Sequence, residues 1–208
     1  MDRVKIKERA KETIKGRIWT FIAPSLLVSL IAGLIGGIFG FAFGKDSSVG
    51  EMLNVILEVA MLPITVGLLS YYMKLVRGKA VEMAEITKWY NLFGGIFVMF
   101  LLISIFTTLW TLLFIIPGII AGISYKMAPY IFVDGEHDGA KCIKKSKELM
   151  NGYKADYFVF QLSFIGWIIL GVFTLGILYF WLIPYMTAAD IIYYDELKKV
   201  KKNKISVD

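Results

Sequence analysis

Residues 91–133 read NLFGGIFVMFLLISIFTTLWTLLFIIPGIIAGISYKMAPYIFV, and this stretch decides the fold. It holds one charge, Lys126, in 43 residues. As a single α-helix it would be about 65 Å long, roughly twice the ~30 Å hydrocarbon thickness of a bilayer. Near its centre, Ile115-Ile116-Pro117-Gly118 supplies a break, because proline lacks an amide donor and glycine relaxes the backbone. The segment therefore predicts two antiparallel helices joined by a tight turn. Residues 156–194 repeat the situation, with Thr174-Leu175-Gly176 as the expected turn.

Working outward, the whole chain shares this character. Of 208 residues, 57% are hydrophobic and 19% charged, with a mean hydropathy of +0.65. Soluble domains lie nearer about 45–50% apolar. The longest charge-free runs are 18–44, 89–125 and 157–189, each long enough to span a bilayer. A soluble enzyme, a nucleic-acid-binding domain and a disordered chain are excluded. The net charge of +6 reads as membrane topology, not as a nucleic-acid partner. One cysteine, Cys142, forms no internal disulfide, and one histidine, His137, assembles no metal cluster alone. No cofactor is expected. The polar-rich start and the long apolar run behind it do not read as a cleavable signal peptide.

The expected fold is an all-α integral membrane bundle of six transmembrane helices, at about 18–43, 52–73, 91–114, 117–133, 157–173 and 177–194. They form three hairpins. A basic amphipathic segment (1–17) precedes the membrane domain (18–197), a cytoplasmic amphipathic loop (134–156) interrupts it, and a lysine-rich tail (198–208) follows. Lysine and arginine set the count. Seven lie at the N-terminus, four in the first inter-hairpin loop, five in the second and five in the tail. Six crossings with a cytoplasmic N-terminus place all 21 inside, leaving Lys45 outside and Lys126 in the membrane. Four crossings would put loop 134–156 outside, and five would put the tail outside. Residues 44–51 should face outward, and the setting is the bacterial cytoplasmic membrane.

Three constellations are candidates for function. In the first helix, Ser29, Gly33 and Gly37 recur at four-residue spacing beside Ala32, Gly36, Gly40 and Gly44. Such faces let helices approach closely, and packing within the monomer is the plainer reading beside an oligomer interface or pore lining. Gly118 and Gly122 repeat the spacing. Glu58, Lys126 and Asp190 fall inside expected spans, where charge is expensive and needs a partner. They read either as a polar ion or proton pathway or as structural pairs, with Lys126 pairing Glu58 or Asp190. In loop 134–156, Ala140, Ile143, Met150 and Tyr153 form an apolar stripe. Lys141, Lys144, Lys145 and Lys147 cover the other faces, as in a helix lying on anionic headgroups. Residues 3–17 look similar, with Val4, Ile6, Ala10 and Ile14. No phosphate loop, zinc-protease motif or nucleophile elbow is present in the sequence.

Residues 115–195 resemble a family of small bacterial membrane proteins known as domain of unknown function 975. The resemblance rests on Ile115-Ile116-Pro117-Gly118-Ile119, then Tyr125, Met127, Pro129, Tyr130, Ile131 and Asp134. It continues through Ser146, Met150, Gly152, Lys154, the run from Leu162 to Trp167, Thr174, Gly176-Ile177 and Pro184-Tyr185. It implies small uncharged residues at Lys126 and Asp190, which counts against a family-wide ion relay there. It implies no activity. The expected role is a non-enzymatic structural, accessory or protective envelope component, in contact with membrane lipids and not with nucleic acid. A protein partner or homo-oligomer stays open. The alternatives are a transporter or channel subunit using the intramembrane charges, or a lipid-acting enzyme built on Asp134 and Asp195.

Overall fold

The structure is a computed structural model that describes residues 1–44 and 47–205, with side chains as far as 203. Lys45, the one cation expected outside, and residues 206–208 of the tail lie outside the described residues. The described fold is all-α, with no strand. Its helices are α1 (Arg3–Ile14), α2 (Ile18–Phe43), α3 (Ser48–Ala60), α4 (Leu62–Val76), α5 (Phe93–Leu113), α6 (Ile115–Tyr125), α7 (Ala128–Val133), α8 (Gly139–Met150), α9 (Lys154–Leu162), α10 (Ile165–Phe173) and α11 (Tyr179–Ile205).

Five helical segments are long and apolar enough to cross a membrane: Ile18–Phe43, Ser48–Val76, Met83–Leu113, Ile115–Val133 and Lys154–Phe173. They cover the first five expected spans. The sixth, 177–194, is the first part of α11 and is not among them. The tyrosines of α11 and its acidic residues Asp190, Asp195 and Glu196 lower its mean hydropathy.

Four of the segments are composite, and the third enters α5 through two short 3-10 helices, Met83–Ile86 and Lys88–Leu92. Met61 separates α3 from α4, where Pro63 occupies the first turn and offers no donor to continue the ladder. Lys126-Met127 separates α6 from α7, again with a proline, Pro129, in the first turn. Ser163-Phe164 separates α9 from α10. The helices also break at the two expected turn positions. The first sits at Phe114, extended at φ −158° and ψ 141°, just before the Ile-Ile-Pro-Gly run, which opens α6. Gly118 is what lets α5 and α6 meet, since a Cβ there would fall 2.1 Å from Thr111 Oγ1 and 2.7 Å from Thr111 Cα. The second turn places Leu175 and Gly176 at φ 52° and 86°. There the Gly176 amide bonds the Gly171 carbonyl at 3.0 Å, and the Thr174 hydroxyl accepts from the Leu178 amide at 3.2 Å.

The core forms around α11. Leu182, Tyr185, Ala188, Ala189, Ile191, Ile192, Tyr193, Tyr194 and Leu197 are all buried. Helix α1 lies on it through Ile6, Ala10 and Ile14, while Val4 stays exposed, against the expected apolar face. By contrast α2 buries only Phe21, Ile22 and Pro24. Helix α8 also corrects an expectation. Its buried face is Gly139, Cys142, Ile143, Ser146 and Met150, whereas Ala140 is exposed. That face packs on α5, α6 and α7. A Cβ on Gly139 would lie 2.5 Å from the Gly95 carbonyl oxygen, so two glycines permit the crossing.

Candidate functional site

The three charges expected inside the membrane separate into one pair and one outlier. Lys126, at the break after α6, places Nζ 3.6 Å from Asp190 Oδ2 on α11. The other carboxylate oxygen accepts from Tyr157 at 3.1 Å and from Gln161 Nε2 at 2.7 Å. Tyr157 and Gln161 stand four residues apart on α9, so both face α11 from one side of that helix. Asp190 is 9% exposed. Glu58 is not part of this group: it is exposed on α3 and makes no ion pair among the described residues. Sequence reasoning missed Tyr157 and Gln161. The available signal was that Gln161 is the one carboxamide in the run 157–189.

A second polar cluster ties the ends of three helices together. Arg77 caps α4, Asp134 caps α7, and Asp195 lies on α11. Arg77 Nη1 reaches Asp134 Oδ1 at 2.7 Å. Its Nη2 and Nε hold the two oxygens of Asp195 at 2.6 and 3.1 Å, a bidentate clasp. Tyr194 donates to Asp134 Oδ2 at 3.0 Å, and Lys198 pairs with the same oxygen. Burial opposes the charge on Asp134, but its bonds to Arg77 and Lys198 outweigh that and hold its carboxyl below the usual aspartate range. Burial likewise opposes the charge on Arg77, while Asp195 and Asp134 overcome it and raise its pKa. Two carboxylates oriented by one guanidinium form a clasp between chain segments. Helix α1 joins the same face, with Arg9 Nη1 2.7 Å from Glu196 and Arg3 Nε 3.5 Å from Asp156.

The loop after α4 is fastened by Glu85, which accepts from Ser70 at 2.9 Å, Lys74 at 2.7 Å and Lys88 at 2.9 Å. Gly67 allows this closeness, because a Cβ there would fall 2.0 Å from the Ile86 carbonyl oxygen. On α8, Lys141 and Lys145 pair with Asp138 and Glu136, while Lys144 and Lys147 are exposed and make no ion pair among the described residues. The sole cysteine is inert: Cys142 is buried, bonds the Glu136 carbonyl at 2.9 Å, and burial pushes its thiol up to about 12. His137 packs its ring against Trp89 and Phe132.

The small-residue face of α2 makes little use of its shape within the chain. A Cβ on Gly33, Gly37, Gly40 or Gly44 would meet nothing within 4 Å, and on Gly36 only Asn54 Oδ1 at 3.4 Å. Packing inside the monomer therefore occurs at Gly36 and not at the other four. Close approach is realised instead at Gly118, as it is at Gly67, Gly95 and Gly139.

Residues 112–201 match the model of a family described as Protein of unknown function (DUF975), which establishes the resemblance over the C-terminal part of the chain. No curated protein and no solved structure matches.

Proposed function

We propose that this is a six-span integral protein of the bacterial cytoplasmic membrane with both termini inside, acting as a non-enzymatic structural, accessory or protective component of the envelope. One observation carries the topology. Arg3 and Arg9 of α1, Arg77 after α4, Asp134 after α7, Asp156 in the first turn of α9 and Asp195-Glu196 of α11 are joined by direct ion pairs. Segments in such contact share one side of a bilayer, so an even number of crossings separates each from the next. The α2 and α3–α4 segments form the first pair, and α5 and α6–α7 the second. The third is then α9–α10 with the first part of α11. A modest hydropathy suits α11, because its polar positions Asp190, Tyr193 and Tyr194 are buried against protein, while Phe180 and Ile183 stay exposed. The same side collects the lysine-rich segments, as the positive-inside rule requires.

The accessory role draws support from the commitment of Asp190, whose two oxygens are both engaged by Lys126, Tyr157 and Gln161. On the same reading, Lys144 and Lys147 of α8 contact anionic headgroups without a defined pocket. Proteoliposomes test the role. Vesicles carrying the protein should hold proton and potassium gradients as well as protein-free vesicles do. A leak that disappears in Lys126→Met/Asp190→Asn would assign the charges to transport instead.

A further inference from the structure

We propose that the cleft bounded by α1, the end of α4 and the last turns of α11 binds the phosphate group of an anionic mono- or diester. The cleft is an open cavity of about 1030 Å³. Six cations from three elements line it: Arg9, Arg77, Lys198, Lys199, Lys201 and Lys202. Only three carboxylates answer them. Asp134 and Asp195 are taken by Arg77 and Lys198, and Glu196 is shared by Arg9 and Lys199 at 2.7 and 3.0 Å. Lys201 donates to the Asn151 carbonyl at 3.0 Å, and Lys202 meets no carboxylate among the described residues. The concavity therefore carries uncompensated positive charge.

A helix C-terminus favours cations on its own, but that does not bring Arg9 and Arg77 from other elements to the same hollow. The floor is apolar, formed by Val76, Leu149 and Ile192. Cationic walls over an apolar floor fit a phosphate attached to a short carbon skeleton. Arg77 follows directly on the last turn of α4, so the cleft lies at the level of a leaflet's phosphates. A lipid headgroup and a soluble phosphate ester share this chemistry. The leaflet placement rests on the six-span reading, whereas affinity for the anion does not, so the two ideas fail separately.

The test uses the full-length purified protein with two probes: soluble glycerophosphate in detergent, and nanodiscs of phosphatidylglycerol against phosphatidylcholine. Saturable binding, read by thermal shift and by retention of phosphatidylglycerol, is expected. Lys201→Gln/Lys202→Gln should weaken it about 25-fold, near fivefold for each charge removed. Lys15→Gln/Lys79→Gln, which removes the same charge outside the cleft, should change it less than about threefold. Lys202→Gln alone serves if the double variant is poorly folded by circular dichroism. Response to both probes, or to glycerophosphate alone, identifies a site for soluble esters. Response to the lipid alone identifies a headgroup site. Equal losses in the two double variants, or no saturable binding of either probe, would overturn the proposal.

Discussion

Arg77 concentrates the account at the scale of one residue. It holds Asp134 and Asp195, whose side chains are 17% and 27% exposed, so its loss strands two charges in partial burial. Arg77→Gln should destabilise the fold by about 1.5–3 kcal/mol, below the figure for fully buried pairs because all three side chains keep some water contact. The pH dependence follows from Asp134. Its pKa is lower folded than unfolded, so its contribution is fully present above the unfolded value near 4 and is lost as pH falls through the folded one. Wild-type stability should drop on acidification below about pH 4, and Arg77→Gln should flatten that drop; urea titrations across the range would measure both. The Lys126–Asp190 pair gives a second test. Lys126→Met and Asp190→Asn should couple by about 0.5–3 kcal/mol in a double-mutant cycle, while Lys126→Met with Glu58→Gln should be additive. Lys126 and Asp190 were legible because a charge stands out in an apolar run. Tyr157 and Gln161 were not, since apolar patterning absorbs an isolated tyrosine or amide. Glu58 stood out equally, yet its face of α3 is exposed. Charge in a run marks a candidate without saying which way it points.

At the scale of elements, glycine spacing alone misdirects. Gly33, Gly37 and Gly40 offer a regular face but meet nothing among the described residues, whereas Gly118 beside Pro117 sits against Thr111. The difference lies in what lies opposite, which one strand of sequence does not carry. Gly118→Val should separate α5 from α6 and lower the yield of folded protein, while Gly37→Leu should leave a monomer's thermal midpoint nearly unchanged. Both are read by size exclusion and a melting curve in detergent. Helix α8 shows a related gap. Its amphipathic pattern was legible, but lipid and protein bury an apolar face equally well. Ser146 decides the outcome: its hydroxyl donates to the Ser124 carbonyl at 2.8 Å and accepts from the Met127 amide at 3.1 Å. That amide sits at the break between α6 and α7, where no helical carbonyl serves it. Ser146→Ala should cost about 1–3 kcal/mol, measured by chemical denaturation, because a buried amide loses its acceptor.

For the whole molecule, α11 is the organising element: Leu182, Tyr185, Ala188, Ala189, Ile191, Ile192, Tyr193, Tyr194 and Leu197 are buried and gripped by α1, α4, α8 and α9 side chains. The hairpin turns and the first five spans were legible from run length and from Pro-Gly or Thr-Leu-Gly breaks. The central position of α11 was not, because a helix shielded by protein tolerates the tyrosines and aspartate that lower its hydropathy. The central claim is that the N-terminus, the two long loops and the C-terminal helix end share the cytoplasmic side. Single cysteines on a Cys142→Ala background, probed on intact cells with a membrane-impermeant maleimide, test it most directly. Ser47→Cys should label from outside, and Lys144→Cys and Lys202→Cys should label only after permeabilisation. Labelling of Lys144→Cys or Lys202→Cys on intact cells, with Ser47→Cys protected, would contradict it.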